Sequence, residues 1–251
     1  MSATDGQPGE ADPRRDRIGG NLAEIRDRIA SACRQTGREP ESVRLVAVTK
    51  YVAADVTRLV LEAGVADLAE SRPQAVWSKA AALATATPAA HWHLIGHLQR
   101  NKVRRTLPLL AMLHTLDSLR LLEAIAEETA GAGAAGRAVC ELLVEVNLSA
   151  DPGRSGAAVA DVPALVRAAA AAPGVRLRGL MGMAGHPDAA AADARRDFAR
   201  LRELRDKLAA TLPDPGLLAE LSMGMSGDFE AAILEGATIV RIGSALFEGI
   251  T

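Results

Sequence analysis

Short apolar runs alternate with helical patterns eight times along this chain of 251 residues. The runs predict strands at 43–49, 66–70, 91–95, 112–116, 141–146, 175–181, 218–223 and 238–242. Runs without regular polar alternation are typical of parallel strands that helices cover. A strand that is followed by a helix and then by another strand favours right-handed crossovers and a parallel sheet.

The segments around these strands carry helical periodicity. Ile18, Leu22, Ile25 and Ile29 recur at helical spacing and predict an amphipathic helix before the first strand. Further helices are predicted at 53–63, from residue 73 onwards, and at 101–109, 118–129, 159–171, 188–212 and 229–235. Eight strand–helix units predict a single (β/α)8 TIM-like barrel with an extra N-terminal helix. An open, doubly wound sheet is the alternative.

Composition and charge exclude several classes of protein. Hydrophobic residues make up 49% and charged residues 24%, and the net charge of −2 gives no electrostatic case for binding nucleic acid or an anionic membrane. No apolar run is long enough to span a bilayer, so a cytoplasmic protein is expected. Residues 1–16 are polar and are expected to form a disordered leader before one domain over 17–251. Cys33 and Cys140 are expected to be free thiols rather than a disulfide.

A barrel of this type carries its functional side chains at the carboxyl ends of its strands. Lys50 follows the first predicted strand directly. The last two strands are followed by Ser-Met-Gly-Met-Ser-Gly-Asp at 222–228 and by Arg-Ile-Gly-Ser at 241–244. Glycines let the backbone approach a ligand closely, and serines and helix N-terminal amides attract anions. The alternative is that the lysine caps its strand in solvent and the glycines and serines only make turns.

An amine opposite an anion-binding segment indicates a phosphorylated aldehyde. A lysine in a pocket loses its charge more readily and can then form a Schiff base with an aldehyde. Lys50 is the candidate for this role. Pyridoxal phosphate also needs a residue at its ring nitrogen, and Arg241 is placed for that. Because arginine keeps its charge, it would leave the ring nitrogen unprotonated and weaken the ring as an electron sink.

Four segments of the chain match one known family in sequence and in order. They read Leu-Val-Ala-Val-Thr-Lys at 45–50, Trp-His-Leu-Ile-Gly-His-Leu-Gln-Arg-Asn-Lys-Val at 92–103, Leu-Ser-Met-Gly-Met-Ser-Gly-Asp at 221–228 and Val-Arg-Ile-Gly at 240–243. The chain therefore resembles the pyridoxal phosphate homeostasis proteins, the YggS/PROSC family, over about residues 17–250. The resemblance implies a single barrel like the N-terminal domain of alanine racemase.

The resemblance also implies a cofactor site. Pyridoxal 5′-phosphate (PLP) would be held on Lys50 as an internal aldimine, with Arg241 at the ring nitrogen. Its phosphate would be bound by Ser226, Gly243 and Ser244. The remaining residues expected at the cofactor are Met223, Glu70, Ser71, His93 and Asn147.

The chain departs from the family pattern in three places. Ala-Glu-Ser at 69–71 stands where the family usually has Gly-Glu-Asn, so a shorter hydroxyl replaces an amide. Tyr-Val at 51–52 follows Lys50, so no second lysine is present there. Gly-Arg-Ser-Gly at 153–156 stands for the usual Ser-Lys-Ser-Gly and keeps a positive charge that could meet an incoming phosphate.

The family is regarded as a carrier or regulator of PLP, so a non-catalytic monomer that hands the cofactor to apo-enzymes is expected. The alternative is a PLP-dependent amino-acid racemase, which needs two acid–base groups on opposite faces of the substrate. Alanine racemases take the second group, a tyrosine, from an additional C-terminal domain. The only tyrosine here, Tyr51, stands beside Lys50. A third possibility is a phosphosugar-type enzyme with Glu70 or Asp117 as its base.

Three histidines in one segment raise the question of a metal site. His91 and His93 share one face of the third strand, and His97 follows it. No carboxylate or cysteine completes a familiar ligand spacing, so no metal is expected.

Overall fold

The computed structural model of the chain describes residues 12–130, 139–149, 151, 153–185 and 191–250. Its strands are β1 (Arg44–Val48), β2 (Asp67–Glu70), β3 (His91–Leu94), β4 (Leu110–Leu116), β5 (Cys140–Asn147), β6 (Ala157–Ala158), β7 (Val175–Gly182), β8 (Glu220–Ser222) and β9 (Ile239–Ile242). All the strand pairs are parallel, and the pairing of β4 with β5 closes eight of the strands into a barrel. The barrel prediction is confirmed, and the open sheet is wrong. The two-residue strand β6 pairs with the end of β5 and was not predicted.

Helices surround the barrel in the order that the sequence predicts. They are α1 (Pro13–Gln35), α2 (Ala54–Glu62), α3 (Pro73–Ala82), α4 (Val103–Thr106), α5 (Leu119–Ala130), α6 (Val162–Ala171), α7 (Ala191–Ala209) and α8 (Phe229–Leu234). The helix predicted at 101–109 is one α-helical turn between two 3₁₀ turns. Pro108 has no N–H to continue the helical hydrogen bonds there. Part of the helix predicted at 188–212 falls on residues 188–190, outside the described residues.

The first helix begins earlier than the expected domain boundary at residue 17. Asp12 caps it, because its Oδ1 accepts the N–H of Arg14 at 3.0 Å. Pro13 occupies the first turn, where a missing N–H costs nothing. Residues 13–16 therefore belong to the helix rather than to a leader. The rest of the predicted leader, residues 1–11, lies outside the described residues.

Alternate residues of the barrel strands face the barrel interior or the helices, since side chains of a strand alternate with a period of two. Val46 and Val48 of β1 pack inside the barrel with Met112 and other apolar side chains. Ala47 and Leu68 pack in the layer between the barrel and the helices. This parity decides which polar side chains can reach the barrel interior and its mouth, which is the open end at the carboxyl ends of the strands.

No helix among the described residues is both long enough and apolar enough to cross a membrane. Cys33 is buried and Cys140 is half-buried, and both are free thiols, as predicted. Burial raises the pKa of the Cys140 thiol to about 12.

Candidate functional site

Lys50 lies in the turn that follows β1, and its side chain is exposed. Its Nζ is 4.7 Å from the centroid of the Tyr51 ring, which is within cation–π range. Tyr51 is itself 89% exposed. The desolvated amine that the sequence analysis expected is therefore not present. The amine is instead accessible to a ligand that arrives from solvent.

A buried ion pair holds the backbone beside Lys50 from the helix side of the barrel. Lys79 on α3 donates its Nζ to the carbonyl oxygen of Thr49 at 2.7 Å and to Glu70 Oε1 at 2.5 Å. Thr49 Oγ1 donates to the same carboxylate oxygen at 2.7 Å. Glu70 is 1% exposed and shares the outward parity of Leu68. Its expected place at the mouth is not supported, because its carboxylate faces α3.

Arg241 on β9 points into the barrel and is 3% exposed. Its Nη1 donates to Ser222 Oγ at 2.7 Å and its Nη2 to the carbonyl oxygen of Gly182 at 3.1 Å. Burial lowers the pKa of Arg241 to about 10, against the opposing charges of Asp228 and Glu145. The guanidinium therefore stays charged at neutral pH and supplies a fixed positive charge inside the barrel.

Ser226 joins the two loops that follow β8 and β9. Its Oγ accepts the N–H groups of Gly243 and Ala245, each at 3.2 Å. Gly224 in the first loop has a φ of +91°, and a Cβ there would lie 2.6 Å from the Cβ of Ala232, so only glycine fits. Ser244 is exposed next to these groups. The two loops thus bring backbone N–H groups and serine hydroxyls together.

Two other expected site residues, Asn147 and Ser71, make contacts within or between loops. Asn147 donates its Nδ2 to the carbonyl oxygens of Asp151 and Arg154 at 2.8 and 3.3 Å, so it orders the loop after β5. The side chain of Ser71 is half-buried. The carbonyl oxygen of Ser71 would lie 2.1 Å from a Cβ at Gly96, so the loops after β2 and β3 approach each other closely.

The side chains of His93 and Met223 do not face the mouth. His93 is 1% exposed inside the barrel, where its ring nitrogens meet Asp67 and His114 at 2.9 Å each. Met223 is fully buried and packs in the layer between the barrel and the helices. Their expected contact with a ligand at the mouth is not supported, because neighbouring side chains enclose both.

Glu145 on β5 is a carboxyl that the sequence analysis missed. It is 3% exposed, has the inward parity of Leu143, and its Oε1 accepts a hydrogen bond from Ser155 Oγ at 2.6 Å. Burial raises the pKa of this carboxyl, and the hydrogen bond from Ser155 and the charge of Arg241 only partly oppose the rise. The signal was available, since Glu145 interrupts the apolar residues of β5 from Leu142 to Val146.

The carboxylates that a phosphosugar enzyme would use as a base have other partners. Glu70 is bound to Lys79, and Asp117 Oδ2 lies 3.1 Å from His97 Nδ1. Within the described part of the chain, no three His, Cys, Asp or Glu side chains are arranged to hold a metal ion.

Comparison with known proteins identifies relatives over nearly the whole chain. Residues 20–250 match the family model of the alanine racemase N-terminal domain. A pyridoxal phosphate homeostasis protein of Pseudomonas aeruginosa is 41% identical over 231 residues, which cover 92% of this chain and 94% of the relative.

Solved structures share the fold. A protein of Bifidobacterium adolescentis superimposes with a TM-score of 0.85 at 36% identity, over 96% of this chain and 98% of that one. PipY of Synechococcus elongatus, solved with PLP bound, gives a TM-score of 0.79 at 33% identity, over 92% and 99% of the two chains. An alanine racemase of Corynebacterium glutamicum gives 0.67 at 14% identity, over 94% of this chain and 63% of the racemase, which shows a common fold alone.

Proposed function

We propose that this chain, which belongs to the family of pyridoxal phosphate homeostasis proteins, binds pyridoxal 5′-phosphate at the mouth of its barrel and acts as a carrier or regulator of that cofactor rather than as an enzyme. One observation carries the proposal: an exposed amine directly follows one strand, and a buried guanidinium lies on the strand paired with it. Strands β1 and β9 are paired in register with Val46 opposite Arg241, and Lys50 follows β1. The pairing of β1 with β9 therefore holds Lys50 and Arg241 on adjacent segments of the barrel.

The residues at the mouth fit the chemistry of PLP. The bound cofactor supplies an aldehyde that can condense with the Lys50 amine with loss of water. In our proposal Arg241 donates to the ring nitrogen, and Ser226, Gly243 and Ser244 bind the phosphate. A phosphate would replace Ser226 Oγ as the acceptor of the Gly243 N–H, which already points into this loop pair. Ser71, whose hydroxyl is half-buried, remains part of the proposed site.

The positions of Tyr51 and Glu70 relative to the Lys50 amine support a role without catalysis. Racemisation needs two acid–base groups on opposite faces of the substrate. Tyr51, the only tyrosine of the chain, packs against the Lys50 amine rather than across from it. Glu70 is held on the helix side by Lys79.

We also propose that the protein works as a monomer that hands PLP to apo-enzymes. The support is exposure: Lys50 and Tyr51 both face solvent, so an acceptor protein could approach the amine without any rearrangement of the barrel. Sedimentation of the protein alone should give the mass of one chain, and a stable dimer would contradict this part of the proposal.

Spectroscopy and mass spectrometry test the site. Purified protein that is mixed with PLP should gain the absorbance band of a lysine-bound cofactor, and borohydride reduction should fix the added mass on the peptide that contains Lys50. Lys50→Ala should lose both signals. Lys207→Ala, on the exposed face of α7, is the matched control and should keep them. The site is wrong if Lys50→Ala retains the band or if the mass maps to another lysine.

An assay for amino-acid inversion tests the absence of catalysis. Loaded protein is incubated with single enantiomers of common amino acids, and chiral chromatography follows their configuration. No inversion is expected above that of free PLP. Inversion that Lys50→Ala abolishes would favour a racemase instead.

A further inference from the structure

Four polar side chains form a continuous hydrogen-bonded chain from Arg241 through the barrel interior. Arg241 Nη1 is 2.7 Å from Ser222 Oγ, and that oxygen is 2.9 Å from His114 Nδ1. His114 Nε2 is 2.9 Å from His93 Nδ1, and His93 Nε2 is 2.9 Å from Asp67 Oδ1. Asp67 begins β2, so the chain of bonds ends at the opposite end of the barrel from the mouth.

The members of this hydrogen-bonded chain depend on one another because they are buried. Ser222, His114 and His93 are each at most 1% exposed. Apolar side chains pack with them inside the barrel, among them Val46 and Met112. A buried polar group that loses its partner in such surroundings costs the full price of its desolvation. Each member therefore depends on its two neighbours.

With both imidazole rings neutral, the two ends fix the direction of every bond. An arginine can only donate, and an ionised carboxylate can only accept. Ser222 accepts from Arg241, so its hydroxyl proton goes to His114 Nδ1. His114 must then carry its proton on Nε2 and donate to His93 Nδ1. His93 must carry its proton on Nε2 and donate to Asp67.

The protonation of the groups agrees with that direction. Burial, together with the charge of Arg241, holds the pKa of His114 well below its usual value, so the ring is neutral. Burial acts to raise the pKa of Asp67, but the hydrogen bond from His93 and the charge of Arg44 outweigh it and lower that pKa, so the carboxylate is ionised at neutral pH.

We propose that Ser222, His114, His93 and Asp67 are a positioning relay that fixes the orientation of the Arg241 guanidinium toward the mouth, with both histidines held as Nε2–H tautomers. The relay obliges Ser222 to turn its lone pairs toward Arg241. The carbonyl oxygen of Gly182 takes a second bond, so the guanidinium plane is fixed by two acceptors. The remaining N–H groups of the guanidinium are thereby held in fixed directions. That these N–H groups meet a PLP ring nitrogen rests on the proposed function.

The tautomers can be read without any cofactor. Protein with ¹⁵N-labelled histidine gives long-range ¹H–¹⁵N spectra that distinguish the two tautomers and the charged ring. Of the five histidines, two should show a neutral Nε2–H pattern. Asp67→Asn keeps an acceptor and should shift only one of them, His93. An Nδ1–H or charged ring at either position would overturn the relay.

The effect on the bound cofactor is tested with a matched pair of substitutions. Ser222→Ala breaks the link between Arg241 and His114 and should raise the PLP dissociation constant about tenfold and move the absorbance band of the bound cofactor. Ser222→Thr keeps a hydroxyl and should restore both. Met112→Leu, inside the barrel but outside the relay, should leave both unchanged.

The outcomes separate the relay from the proposed function. Equal spectra and affinities for Ser222→Ala and the unsubstituted protein would overturn the relay. If the unsubstituted protein does not bind PLP, the proposed function fails, while the histidine spectra still decide the relay. Should Ser222→Ala fail to fold, Asp67→Asn at the half-buried end takes its place in the binding comparison. It should raise the dissociation constant less than tenfold, and no change in affinity or band would count against the relay.

Discussion

Lys79 donates its Nζ to the carbonyl oxygen of Thr49 at 2.7 Å, so a side chain of α3 holds the residue that precedes Lys50. The same ammonium binds Glu70 at 2.5 Å. Removing one partner of a buried pair leaves an uncompensated charge, which is far more costly than replacing both partners by apolar groups. The turn that carries the exposed amine is thus anchored from inside the protein.

We expect Lys79→Met to lower the free energy of unfolding by about 3–5 kcal/mol, because it leaves the Glu70 carboxylate buried and unpaired. Urea unfolding followed by circular dichroism measures the loss. The double variant Lys79→Met/Glu70→Leu should recover most of it. Lys207→Met on the exposed face of α7 is the control and should change stability by less than about 0.5 kcal/mol. A loss no larger than that control would contradict the role given to Lys79.

Gly96→Ala tests the close approach of the loops after β2 and β3. The new Cβ would lie 2.1 Å from the carbonyl oxygen of Ser71, so one backbone must move. We expect a loss of about 1–3 kcal/mol or more in thermal or urea unfolding. Gly227→Ala introduces the same methyl group where no atom lies within 4 Å and should be nearly neutral. Similar values for both variants would show that the loops can separate freely.

Ser226→Ala tests the hydrogen bonds that connect the loops after β8 and β9. It removes the acceptor of the N–H groups of Gly243 and Ala245, so we expect a loss of about 1–3 kcal/mol in stability. Hydrogen exchange at these two amides should accelerate more than exchange at other amides of the barrel. Ser31→Ala, an exposed position on α1, should change neither quantity. Unchanged exchange at the two amides would mean that another group accepts their hydrogen bonds.

Glu145→Gln should stabilise the protein at neutral pH. Burial raises the folded-state pKa of Glu145. Between the unfolded pKa of about 4.3 and this raised value, the folded state binds more protons than the unfolded state, so the carboxyl costs stability as the pH rises. The amide has no such cost. The advantage of the variant should therefore grow from pH 4 to pH 7 in urea unfolding. A difference that does not depend on pH would show that Glu145 titrates alike in both states.

The barrel could be predicted from the sequence because its strands are apolar runs and its connections are amphipathic helices. All eight barrel strands lie where apolar runs predicted them. The strand β6 was missed, since two alanines give no pattern. The helix boundary at Pro13 was missed because Asp12 acts through a single hydrogen bond that the apolar periodicity does not report.

The candidate site was harder to predict, because it depends on which side chains of each strand face the barrel interior and which face the helices. Lys50 and Arg241 were predicted from their places at strand ends, and their role at the cofactor stays a prediction. Glu70 was assigned to the mouth because it ends a strand, yet it faces outward to Lys79. His114 was not singled out, although a polar residue at an inward-facing strand position is the signal. Which strands face each other across a barrel is not visible along the chain.

The seam between β1 and β9 sets an order of events during synthesis. Val46 pairs with Arg241, so the two residues can meet only after residue 241 has left the ribosome. A nascent chain with the amine already exposed would lack both the guanidinium and the serine and glycine loops. If PLP binds at the proposed site, a nascent chain that has not yet emerged beyond residue 244 would therefore hold it poorly.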